Sequence, residues 1–124
     1  MADPRDEKRS SRSDKDDFER LLEETMRRSM ADLLGESSMS AMLFHVNMEH
    51  PAAEPAEFHK RLYELLKEPA IVIEEIIIKD LFKRLNVLYT PKGAFEFKRY
   101  VSSARDLYAT KAKTATSDPE DAGN

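Results

Sequence analysis

Phe18, Leu21, Leu22, Thr25, Met26, Met30, Leu33 and Leu34 recur at steps of three and four residues, which places them on one stripe of a helix from about Asp14. Ser13 suits its cap, acids crowd the first turn near the positive end of the helix dipole, and Gly35 offers the left-handed residue that stops it. A second helix is expected in SMSAMLFHVNMEH, capped by Ser37 or Ser38, with Met42, Leu43 and Val46 facing inward until Pro51 prevents continuation. After a short loop, Pro55 suits the first turn of a third helix whose stripe is Phe58, Leu62, Leu65 and Leu66. Pro69 then removes a backbone donor and ends or kinks it.

The next stretch, AIVIEEIIIKDLF, is ambiguous by composition, because its Ile and Val clusters are strand-like. Its charges decide the matter. Glu74, Glu75, Lys79, Asp80, Lys83 and Arg84 come in pairs, which a two-residue period would scatter over both faces of a strand. Wound at a helical period, Ile71, Ile77, Ile78, Leu81, Phe82 and Leu85 share one arc, and Val72, Ile73 and Ile76 widen it. β-Branched residues oppose a helix by only a few tenths of a kcal/mol each, whereas burying a large apolar side chain stabilises by roughly 1.5 to 3 kcal/mol. A buried helix is therefore expected up to Asn86, a residue suited to a left-handed cap.

Thr90-Pro91-Lys92-Gly93 forms a turn signal that allows a tiny two-stranded ribbon across residues 87–97. Phe97, Tyr100, Val101, Ala104, Leu107 and Tyr108 then match a closing helix. The expectation is an all-α bundle of about five helices around the Ile-rich one, in a single domain over residues 14–110. Residues 1–13 and 111–124 carry almost nothing apolar and are expected to be disordered tails. Ser10, Ser11 and Ser13, beside arginines, are candidate modification sites, although an unmodified solvated tail is the plainer reading.

The chain has 20 basic and 24 acidic residues for a net charge of -4, which excludes a polyanion or a general nucleic-acid glue. It lacks cysteine, which excludes disulfides and thiolate chemistry. The N-terminal segment has no apolar stretch of the signal-peptide kind, and no apolar run approaches a membrane span, so a soluble cytoplasmic protein is expected.

The order LLGESSMSAMLFHV, EFHKRLYELL, IEEIIIKDLFKRLNV, a short loop and FEFKRYV resembles a small archaeal family, the Nitrosopumilus output domain, over residues 33–107. The resemblance implies a signalling or regulatory output module and names no catalytic residue. Lys67-Glu68-Pro69-Ala70 departs from the Gly-bearing turn expected between the third and fourth helices.

Candidate chemistry is sparse. Glu74 falls between Leu81 and Leu85 on the apolar arc, where an unpaired carboxylate is costly. The preferred reading bonds it near the helix start to an arginine, a hydroxyl or a second subunit; the functional one makes it a raised-pKa acid near His45 or His59. His45, His50 and His59 lack the spacing that puts ligands on one helix face, and there is neither a nucleophile elbow nor a glycine-rich phosphate loop. No enzyme, metal or cofactor is expected.

Met26, Met30, Met39, Met42 and Met48 suit irregular core gaps or, less readily, an adaptable partner groove. The width of the Ile-rich apolar arc favours cover from a second copy, with Met39, Met42, Ile73, Ile76 and Phe82 at a homodimer interface and Glu74 setting specificity. The function expected is a non-enzymatic protein-interaction or output module. The alternative is a nucleic-acid-associated regulator using Lys79, Lys83, Arg84, Lys92, Lys98, Arg99 and Arg105, with Tyr89 or Phe95 for stacking. Against it, such a charge run is usually a solvated face, which the acidic first helix could pair.

Overall fold

The computed structural model describes the backbone of residues 4–122 and the side chains of residues 16–111. Five α-helices appear among the described residues, with no strand: α1 (Pro4–Leu34), α2 (Glu36–Val46), α3 (Pro55–Leu66), α4 (Glu68–Arg84) and α5 (Phe97–Ala122). The all-α bundle is as expected. The terminal segments differ. Helix α1 begins at Pro4, so Ser13 lies inside it rather than at its cap, and α5 continues to Ala122 instead of stopping near Lys111. Over residues 4–13 a nucleated helix gains one hydrogen bond per added residue and propagates through Arg, Glu and Lys without needing anything to bury, whereas the Thr, Ser and Pro119 of the α5 extension offer no such reason. Residues 1–3 and 123–124, and the side chains of Ser10, Ser11 and Ser13, lie outside the described residues.

Phe18, Leu22, Met26 and Met30 bury the inner stripe of α1, together with Thr25, whose hydroxyl donates to the Leu21 carbonyl at 2.7 Å. Leu33 is the exception on that stripe and stays about half exposed. Gly35, at φ 90°, opens α2 with no side-chain cap, so neither Ser37 nor Ser38 caps it. Helix α2 ends before Pro51 is reached, because left-handed Asn47 closes it and Met48 N–H bonds back to the Leu43 carbonyl at 3.3 Å. The expected loop is one 3-10 turn, Pro51–Ala53, pinned where Ala52 N–H donates to Glu23 of α1 at 3.1 Å.

A single residue joins α3 to α4. Lys67, at φ 64° and ψ -134°, turns the chain between Leu66 and Glu68. Glycine is the usual occupant of such a conformation. Pro69 falls in the first turn of α4, where its missing donor has no helical partner to lose.

Helix α4 is the core of the bundle: it packs against α1, α3 and α5, and Ala70, Ile73, Glu74, Ile77, Ile78, Leu81 and Phe82 are buried on it. The buried arc is rotated slightly from the expected one, leaving Ile71 half-buried and Val72 exposed. Phe58 of α3 meets Phe97 of α5 at 5.8 Å between ring centres, and Phe18 of α1 meets Tyr108 at 5.7 Å, which closes α5 over the core.

The ribbon expected at 87–97 does not form. Asn86, at φ 61°, turns the chain, and Val87 N–H returns to the Phe82 carbonyl at 3.0 Å instead of pairing across a ladder. Aromatic packing holds this loop in place of strand pairing. Tyr100 lies 5.3 Å from Tyr89, 5.3 Å from stacked Phe95 and 6.3 Å from Phe82, and its hydroxyl accepts a hydrogen bond from Lys92 N–H at 3.1 Å.

Candidate functional site

Glu74 is fully buried, and its partner is His59 of α3, whose Nδ1 lies 2.8 Å and 2.9 Å from the two carboxylate oxygens. Neither an arginine nor a hydroxyl is bonded to it among the described residues, so the preferred expectation is corrected in favour of a histidine. The alternative reading, a raised-pKa acid near His45 or His59, has its partner in His59. Burial pushes the Glu74 carboxyl above its ordinary range, opposed by the hydrogen bond from His59 and then by the imidazole's charge. The His59 side chain remains 39% exposed, so the pair reaches solvent on one side only.

The other histidines stand apart. His45 is exposed on α2, where its ring meets Phe44 at 5.9 Å, and exposed His50 adjoins Asp16, Glu19 and Glu23 of α1. No group of three or more His, Asp or Glu able to hold a metal ion occurs among the described residues. The Glu74–His59 pair lines none of the surface depressions described below. Its chemistry is that of a polar tie between α3 and α4.

Three of the five residues expected at a dimer interface are interior to the single chain: Met42, Ile73 and Phe82 are 8%, 6% and 6% exposed. Helices α1, α3 and α5 supply the cover for which a second subunit was invoked. Met39 packs partly against the same core. Ile76 is the one of the three α4 residues expected there that stays accessible, half-buried beside exposed Leu33 in a depression that also holds Arg84.

The seven bases do not form one face. Arg84 is held by Asp80 at 3.3 Å, and Asp80 also accepts from Ser29 at 3.3 Å. Arg105 lays its guanidinium over the Phe18 ring at 5.5 Å, with a buried Nε that has no hydrogen-bond partner among the described residues. Lys98 is exposed on α5. The remaining four gather around the loop after α4. Lys79 and Lys83 line a depression of about 400 Å³ with Tyr89, and Lys92 and Arg99 line a second of about 510 Å³ over Phe82, Tyr100 and Leu107. Val87 and Leu88 belong to both. None of these four cations forms an ion pair among the described residues; the described ion pairs of α1 run within α1, Arg27 to Glu23 and Arg28 to Glu24.

Leu88, which lines both depressions, is 86% exposed, the most exposed large apolar side chain described. Sequence reasoning missed it, because it had placed residues 87–89 in a ribbon. The expected stacking residues are committed elsewhere. Phe95 stacks on Tyr100 with 19° between ring planes, and the Tyr89 hydroxyl donates to Glu75 at 3.4 Å. Burial, and then the Glu75 carboxylate, push the Tyr89 phenol up to about 12, so it is a protonated donor near neutrality. No helix among the described residues is long and apolar enough to cross a membrane. No protein-family model matches the chain, and neither a curated protein nor a solved structure matches it.

Proposed function

We propose that this protein is a non-enzymatic interaction module of the signalling or regulatory output kind, which docks another protein on the loop after α4. The observation that carries this reading is Leu88, held almost wholly in solvent on a loop pinned by the Tyr100 aromatic cluster. One exposed apolar residue is ordinary on any surface. Leu88 is set apart by the two depressions it lines, which give a partner side chain somewhere to go. Self-association is a weaker form of the reading, since Met42, Ile73 and Phe82 are already covered.

Site-specific photocrosslinking tests it. With a benzophenone side chain at Leu88, irradiation in native extract should shift the chain to a discrete larger species; the same probe at exposed Val72 should not give that species. Absence of any Leu88-dependent adduct would refute the docking role. Light scattering on wild type and Ile76→Asp reads self-association separately, and a monomer in both removes the homodimer.

A further inference from the structure

The charges around Leu88 select among partners. Four cations without ion pairs among the described residues line the two depressions that share Leu88, Lys79 and Lys83 one and Lys92 and Arg99 the other. This happens on a chain whose net charge is -4. We infer that this face binds an acidic segment of another protein, one that seats a large apolar side chain against Leu88 and sets carboxylates on both flanks. The inference rests on the docking role proposed above and adds the chemistry of the occupant.

Three features favour a peptide over a nucleic acid. Leu88 has no π face on which a base could stack. Phe95 and Tyr89, the nearby rings, are spent on Tyr100. Phe82, Tyr100 and Leu107 line the larger depression with apolar surface, which rewards a buried Leu or Phe. The acid and the anchor are both needed. Carboxylates alone would find solvated lysines worth little, while an apolar anchor alone would not discriminate between partners.

A random peptide-display library selected on the full wild-type chain, with counter-selection on Leu88→Asp, tests the inference directly. Enriched peptides should carry Asp or Glu on both sides of a large apolar residue. A resynthesised peptide, read by fluorescence anisotropy, should bind on the order of tenfold more weakly to Leu88→Ala and to Lys83→Glu/Arg99→Glu, and should weaken as salt is raised. Circular dichroism melts verify that these exposed substitutions leave the fold intact. Enrichment of uncharged or basic peptides, failure of any peptide to enrich, or indifference to the charge reversals overturns it. So does salt-sensitive binding of a single-stranded oligonucleotide without binding of acidic peptides. A Leu88 photoadduct with a protein, combined with no acidic enrichment, would leave the docking role standing and remove only its acidic occupant.

Discussion

Replacing His59 with alanine should expose how much of the bundle depends on one polar tie. Glu74 is fully buried, and the described bonds to its carboxylate come from His59 Nδ1 at 2.8 Å and 2.9 Å. Removing one member of a buried pair costs about 3 to 5 kcal/mol when the orphaned charge is sealed from water. Here the imidazole is 39% exposed, so solvent already screens the pair and can enter the vacated space, which lowers the expected loss to about 2 kcal/mol. Glu74→Met should behave differently. It removes the buried charge and leaves His59 free to turn to water, so its stability should fall within about 1 kcal/mol of wild type. The double variant His59→Ala/Glu74→Met should recover most of the His59→Ala loss, a coupling that a double-mutant cycle measures.

The pH dependence follows from the direction of the Glu74 shift. Burial raises its carboxyl, so the folded chain binds that proton more tightly than the unfolded chain does. Its contribution to stability is therefore greatest below the ordinary carboxyl value of roughly 4.3 and declines as pH rises through the folded value. Without His59, the chief group opposing that shift is gone. The His59→Ala defect in urea unfolding should thus be smaller at about pH 5 than at about pH 7.5. A loss under about 0.5 kcal/mol at neutral pH, or a Glu74→Met loss exceeding that of His59→Ala, would refute the dependence of the buried carboxylate on its histidine.

Two further outcomes are expected. Lys67→Gly should raise stability by up to about 1 kcal/mol, read as a higher urea midpoint at unchanged slope, since φ 64° with ψ -134° strains a residue bearing a Cβ; an unchanged or lowered midpoint would mean the turn carries no such strain. Tyr89→Phe should flatten the alkaline stability profile. The raised phenol near 12 makes the wild type lose stability as pH climbs from the ordinary tyrosine value of roughly 10 through the folded one, and parallel profiles for the two proteins would count against the raised Tyr89 phenol.

The helical stripes were legible because burial leaves a periodic mark. Phe18, Leu22, Met26 and Met30, then Phe58 and Leu62, then Ile77, Ile78 and Leu81 are buried where their spacing puts them. Gly35 and Asn86 adopt the left-handed turns their chemistry suggests. Serine caps misled at Ser37 and Ser38, because Gly35 opens α2 before either is reached. The helical extension to Pro4 and Ala122 had no sequence signal of this kind, since backbone bonding leaves no pattern of apolar residues.

The site was less legible, for a different physical reason. Periodicity says that Glu74 faces inward but not what it meets, and His59 is known as its partner only once α3 packs on α4. Likewise, the breadth of apolar residues on α4 demanded cover without stating whose, and the folded chain answers with its own α1, α3 and α5. The linear run of bases is dispersed by the fold, with Arg84 spent on Asp80 and Arg105 laid over Phe18, while Leu88 becomes prominent through a loop held by rings distant in sequence. Local sequence decided which residues coil and which side of each coil is apolar, because those depend on neighbours within a turn or two. Partnership, exposure and the grouping of charge depend on contacts between helices, and these exist only in the packed bundle.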